Sequence, residues 1–228
     1  NFAKGSDSLL CHVNNFKEFD KTIATYGVLR GTLEVINKVK NFYYMDHGYF
    51  NQSKRSFENN RTGVINLDGY FRIVYNNFIH NGVGKFPDDR LKKLDLKILE
   101  QKKNGSYIIL SEPSDAMKKV YNVPTWTEDT VKLVKRYTDR KIIVRQKPNR
   151  KERTLNGKTL LQQLKKDKVH CLVAYNSIAA FEAIQSGCPA ITLGPNSASY
   201  LAERKIKNIE KPYFADEDKI RQHSLYLS

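Results

Sequence analysis

The stretch VHCLVAYNSIAAFEAIQSGCPAITLGPNSASY, Val169 to Tyr200, decides the fold. Val169–Ala174 is an apolar run set off from the charged LKKDK before it, the composition of a strand buried on both faces. Tyr175-Asn176-Ser177 is a polar turn with two good N-cap residues. Ile178, Phe181 and Ile184 then recur at helical spacing, so Ile178–Gln185 reads as a helix. Gly187 suits a left-handed position after its last turn, and Pro189 prevents continuation. Ala190–Leu193 starts a second strand, which ends in the polar turn Gly194-Pro195-Asn196-Ser197.

This is a strand–helix–strand unit with small polar residues at the carboxyl ends of both strands. Ligands of open parallel sheets bind at such ends. The first N–H groups of the helix have no intrahelical acceptor, which suits a phosphate. Asn176 and Ser177 can cap this helix, bind a ligand, or both. The alternative is an ordinary capped crossover helix with a Gly–Pro stop.

Working outward, Lys141–Arg145 reads as a strand followed by Lys147 and Arg150. Arg145 and Lys147 alternate at the strand exit and are expected on one side, where a bidentate guanidinium and a point charge suit diphosphate. A basic surface loop continuing into Lys151 and Arg153 is the competing reading. Tyr107–Leu110 is a compact strand ending in the polar turn Ser111-Glu112-Pro113-Ser114-Asp115, then a helix from Ala116. Trp126–Tyr137 and Leu155–Leu164 read as helices, as do Tyr200–Lys207 and Asp216–Leu227. The order from Tyr107 to Gly194 calls for a parallel sheet with helices on both faces.

The earlier part is less regular. Asn1–Lys4 reads as the end of a strand, followed by a turn in which Gly5 and Ser6 could approach a ligand. Leu9–Val13 is a short apolar run. Thr22–Lys40 reads as a helix with Ile23, Tyr26, Leu29, Leu33, Ile36 and Val39 as its apolar stripe. Gly27 and Gly31 interrupt it, with Arg30 between them as a candidate anion contact. Phe42–Met45 is a strand ending in Asp46-His47-Gly48, where catalytic groups of α/β proteins occur. His47 has the side chain suited to proton transfer near neutral pH, and Asp46 either shares that role or orients it. Asn51–Asn66 is a polar loop carrying Lys54, Arg55 and Arg61, and Gly69–Tyr75 is a strand containing Arg72.

The turn–helix–Gly–Pro pattern of YNSIAAFEAIQSGCPAITLG resembles the nucleotide-binding segment of GT-B glycosyltransferases. It is most similar to capsular-polysaccharide-type transferases and a related phage-encoded group. DRKIIVRQKP resembles their strand ending in Arg-x-His/Lys-Pro, and FYYMDHGYF and YGVLRG resemble N-terminal signatures of the phage group. The resemblance implies two Rossmann-like lobes: a reduced acceptor-side lobe over 1–101, a nucleotide-sugar lobe over 102–210, and a terminal helix in 211–228 crossing back. It implies a metal-independent hexosyl- or pentosyltransferase using a donor such as a UDP-sugar and no further cofactor. Ser111, Glu112, Arg145, Lys147, Asn176, Ser177, Glu182 and Gly194 would bind the donor. Glu182 would meet ribose or sugar hydroxyls, and Asp46 or His47 would deprotonate the acceptor. A modified base in phage DNA or a saccharide would be that acceptor.

Composition sets the bounds. The 228 residues, 40% hydrophobic, suffice for one large or two small cores. No apolar run approaches transmembrane length. Cys11, Cys171 and Cys188 show no metal spacing and are expected as free thiols in a reducing cytoplasm, the host's if the chain is phage-encoded. The net charge of +15 favours polyanionic partners, double-stranded DNA among them. A basic nucleic-acid binder on a degenerate transferase scaffold is therefore the rival reading. The sequence begins at Asn1 rather than Met, so trimming at one or both ends is expected.

Overall fold

The computed structural model describes residues 2–50, 55–56, 64–65, 71–93, 97–102, 105–147, 158–166 and 168–228. Most of the Asn51–Asn66 loop and the basic run from Arg150 to Arg153 lie outside these residues. The chain divides into two compact units, Asn1–His47 with Phe71–Phe78, and Gly48–Tyr70 with Ile79–Ser228. Gln101, the expected lobe boundary, lies within the second.

The first unit contains α1 (Phe2–Gly5), a 3₁₀ turn (Val13–Asn15), β1 (Ile23–Tyr26), α2 (Thr32–Ile36) and β2 (Phe42–His47). The pair β3 (Arg55–Ser56) and β4 (Val64–Ile65) belongs to the second unit, and β5 (Phe71–Tyr75) returns to the first. The sheet order is β1-β2-β5, with β1 parallel to β2 and β5 antiparallel to it.

The helix expected over Thr22–Lys40 is instead strand, turn and short helix. Gly27, Arg30 and Gly31 have φ of +72°, +59° and +87°. Left-handed residues cannot continue a right-handed helix. The chain therefore leaves β1 at Gly27, whose N–H donates to the Met45 carbonyl at 3.0 Å, and restarts as α2 after Gly31. Phe2–Gly5 is likewise helix where a strand end was expected, and Gly5 and Ser6 sit exposed at the end of α1 rather than at a strand end.

The second unit continues with α3 (Asp89–Lys93), β6 (Tyr107–Ser111), α4 (Asp115–Val120), α5 (Trp126–Val134) and β7 (Lys141–Arg145). Then come α6 (Leu160–Lys166), β8 (Val169–Ala174), α7 (Ala179–Gln185), β9 (Ala190–Thr192), a 3₁₀ turn (Ile206–Asn208) and α8 (Glu217–Leu227). The strands form one parallel sheet in the order β7-β6-β8-β9. The helix expected over Tyr200–Lys207 is only that 3₁₀ turn, because Glu203 bridges the β9 edge, accepting the Thr192 N–H and donating its own N–H to the Ala190 carbonyl, both at 2.9 Å, and this holds the segment extended.

Alternation along the strands builds two cores. Ile109, Leu172, Ala174 and Ala190 join Leu164 of α6, Phe181 and Ile184 of α7, and Ile220 and Leu227 of α8. Ile108, Cys171, Val173 and Ile191 face the other way, onto Val134 of α5 and Ile206 and Ile209. β6, β8 and β9 are thus covered on both faces, which is why they read as unbroken apolar runs. Each large side chain so buried contributes about 1.5–3 kcal/mol.

Helix α7 ends as the sequence predicts. Gly187 has φ +76°, its N–H donates to the Ile184 carbonyl at 3.0 Å, and Cys188 N–H reaches the Ala183 carbonyl at 2.9 Å. These two bonds form a Schellman stop. Helix α8 starts at Asp216, whose carboxylate accepts the Lys219 N–H at 2.8 Å.

Candidate functional site

Strand order places the candidate donor residues of the second unit. The chain runs from β6 outward to β7, then crosses to β8 on the far side of β6. The order therefore reverses between β6 and β8, and the crevice beyond their carboxyl ends is where such sheets bind ligands. Register sharpens this: Arg145, Ser111, Ala174 and Thr192 form one row across the sheet. The turns carrying Ser111 and Glu112, Asn176 and Ser177, and Gly194 all leave from this edge. The structure brings these expected residues together.

Their individual roles differ. Glu112 donates its N–H to the Arg145 carbonyl at 3.1 Å. Its carboxylate takes Lys118 Nζ at 2.7 Å and Thr127 Oγ1 at 3.1 Å. Burial alone would raise this carboxyl, but those donors outweigh it and hold it below the usual range. Glu112 thus ties α4 and α5 to the end of β6. Ser177 Oγ accepts the Ala179 N–H at 3.2 Å, so it closes the turn into α7. Asn176 is half-buried beside it.

Arg145 is only 6% exposed. Its guanidinium donates to Gln163 Oε1 and to the Lys158 carbonyl, both at 3.0 Å. Desolvation lowers its pKa, and Glu182 on α7 opposes that. Glu182 responds in kind: burial raises its carboxyl, and the Arg145 charge partly restores it. Each charge thus favours the ionised form of the other. Lys147 lies beyond the last residue of β7 and is exposed, whereas Arg145 is buried.

Two features of this edge were not foreseen. Asn196 is 1% exposed, and its amide donates to the carbonyls of Tyr175 at 3.1 Å and Ser177 at 3.0 Å. Its Oδ1 accepts the Ala198 N–H at 2.9 Å, so one side chain joins the loops leaving β8 and β9. The Tyr175 ring meets Tyr121 and Trp126 edge-on, at 5.4 and 5.8 Å between centroids. A Cβ on Gly194 would lie 2.5 Å from that ring, so glycine there makes room for the tyrosine. An aromatic followed by a glycine at the next strand's end is a signal that sequence could carry.

The first unit presents a second polar group of residues. Asp46 faces Arg72 in the register of β2 and β5. Arg72 Nη2 lies 3.2 Å from Asp46 Oδ2 and Nη1 donates to the His47 carbonyl at 3.0 Å. Tyr44 OH donates to Asp46 Oδ2 at 2.7 Å, and His47 N–H to Oδ1 at 2.8 Å. Both carboxylate oxygens are therefore engaged. The Phe71 ring stacks on His47 at 5.7 Å, and His47 Nε2 lies 3.2 Å from Tyr26 OH. Tyr26 was read as part of a helical stripe; it ends β1 and touches the candidate base. Arg30 is exposed in the β1–α2 turn, which leaves from the same sheet edge as Asp46 and His47. Gly5 and Ser6 contribute to neither group. Among the described residues no three His, Cys, Asp or Glu side chains converge as a metal set.

No protein-family model matches the chain, and no curated protein matches it. Among solved structures it is similar to Thermosulfurimonas dismutans KpsC, a beta Kdo 2,4 transferase, with a TM-score of 0.52 at 10% identity. The match covers 90% of this chain and 78% of that one. At this identity the likeness is one of fold alone. No helix among the described residues is long and apolar enough to cross a membrane.

Proposed function

We propose that the chain is a glycosyltransferase that takes a sugar from a nucleotide-sugar donor such as a UDP-sugar. The observation that carries this reading is the row of strand ends at the order reversal of the parallel sheet, on a scaffold shared with a glycosyltransferase. The donor's diphosphate lies against the turns after β6 and β8, with Asn176, Ser177 and Lys147 at the rim. Arg145 turns to it by exchanging two neutral oxygen acceptors for anionic ones, which bind a guanidinium more strongly. Glu182, whose ionised form the Arg145 charge favours, accepts from sugar or ribose hydroxyls. Side-chain cations rather than a metal compensate the leaving diphosphate.

His47 acts as the base. It takes the proton of an acceptor hydroxyl as that oxygen bonds to the anomeric carbon, and the bond from that carbon to the diphosphate oxygen breaks. Asp46 is committed to three donors and holds the site rather than accepting this proton. The acceptor is a saccharide or a base in DNA; a duplex would have to flip its base outward.

Thermal-shift titration with UDP at moderate salt tests the reading. A saturable rise in Tm that Arg145→Ala removes supports it. The net charge of +15 favours one rival, a non-catalytic nucleic-acid binder. Salt-sensitive binding of duplex DNA with no response to any nucleoside diphosphate would replace the transferase reading with that one.

A further inference from the structure

His223 of α8 has no part in the reaction above, yet it is 3% exposed. Its Nε2 lies 2.6 Å from the Ser197 carbonyl. A carbonyl only accepts, so Nε2 carries the hydrogen and Nδ1 of the neutral ring carries the lone pair. Nδ1 is buried with no hydrogen-bond partner. The rings of Phe181, Tyr200 and Tyr226 pack around the imidazole at 6.3, 5.6 and 5.7 Å. The charged and titratable groups against it are Lys219 and Tyr226 on its own helix and Tyr200 after β9; α7 offers it only the Phe181 ring. No carboxylate among the described residues pairs with it.

Ser197 follows Asn196, the side chain that joins the loops after β8 and β9. One line of bonds thus runs from the helix to the donor-side edge: His223, Ser197, Asn196, then the carbonyls of Tyr175 and Ser177. We infer that His223 is a positioning residue that latches the Gly194–Ser199 loop from α8, and that its protonation opens the latch. A second ring proton would sit at Nδ1 among three aromatic rings with no acceptor and with the Lys219 ammonium nearby.

The direction follows from the same surroundings. Burial depresses the His223 pKa below the ordinary 6.5, the Ser197 bond opposes this, and Lys219 adds to it. The neutral ring's contribution is complete above the unfolded value and is lost as pH falls below it through the lower folded value.

The loop's place beside the donor rests on the transferase reading; the latch itself does not. Amide exchange of the full chain, corrected for intrinsic rates, is followed at Ala198 and Leu201 at about pH 7.5 and about pH 5. Wild type is expected to lose protection about tenfold or more at the lower pH. His223→Gln keeps a donor near the Nε2 position without titrating, so its protection stays flat. His223→Leu lacks the donor and is weakly protected at both. Equal wild-type protection at both pH values, or the same loss in the glutamine variant, overturns the proposal. UDP titrations run in parallel separate the two ideas. Loss of UDP affinity over the same pH range ties the latch to the donor edge. UDP inert at every pH, with loop protection still following His223, defeats the donor reading and leaves the latch standing.

Discussion

Arg72 and Asp46 face each other across antiparallel strands with 3.2 Å between Nη2 and Oδ2, and the same arginine holds the carbonyl of His47. The ion pair is thus also the frame of the histidine. Asp46→Ala and Arg72→Ala are each expected to cost about 1–3 kcal/mol, measured by urea unfolding. The double variant should cost clearly less than the sum, because each single change already breaks the shared network. Additive costs would show that the two residues act separately.

His47→Gln should lower transferase turnover by about a hundredfold or more while Tm changes little. Tyr26→Phe removes the hydroxyl beside Nε2, so it should shift the pH profile of turnover without abolishing activity. An unchanged rate in the glutamine variant would assign the base elsewhere.

Glu182→Gln tests the buried acid. Its folded pKa is raised by burial, so the native state holds this proton more tightly than the unfolded chain does. Stability from this group is full below the ordinary carboxyl value and is lost as pH rises through the folded value. The glutamine variant should therefore melt higher than wild type near neutral pH, with the gain shrinking as pH falls toward about 4. It should also weaken the UDP-sugar response, separating stability from binding.

Gly187→Ala should be among the most damaging glycine substitutions. The residue has φ +76°, and a Cβ would sit 2.0 Å from the Glu100 carbonyl oxygen. The backbone conformation alone costs about 1–2 kcal/mol for an L side chain, and the clash adds to it. Gly194→Ala displaces the Tyr175 ring instead, so it should impair nucleotide binding more than Tm.

Thiol labelling gives an independent check of the core. Cys11 is exposed, whereas Cys171 and Cys188 are buried. Burial pushes the Cys188 thiol up to about 12 and Cys171 well above its ordinary value. A native chain should take up one maleimide and an unfolded chain three, read by mass spectrometry.

The second unit was largely legible in the sequence, and the reasons are local. Lys141–Arg145 and Val169–Ala174 form strands over the residues expected, because both are apolar runs bounded by charge, and β8 is buried on both faces. Gly187 and Pro189 marked the end of α7 by backbone chemistry alone. Ile23–Tyr26 was not legible: four residues are too few to show a two-residue period, and the following apolar spacing imitated a helix. Three left-handed residues in the next turn decided otherwise. Arg145 was read correctly as a strand-end cation, but its direction depends on Gln163, eighteen positions later. The grip of Asn196 and the seat of His223 depend on partners brought close only by the folded sheet.

The strand order also bears on how the chain is made. β6 emerges first from the ribosome yet ends up in the middle of its sheet, with β7 on one flank and β8 on the other. Until Val169–Ala174 has been synthesised, β6 offers a bare apolar edge to any neighbouring nascent chain. Translation that stalls between Arg145 and Val169 would therefore leave a fragment prone to clumping, and a chaperone would be of most use over that interval.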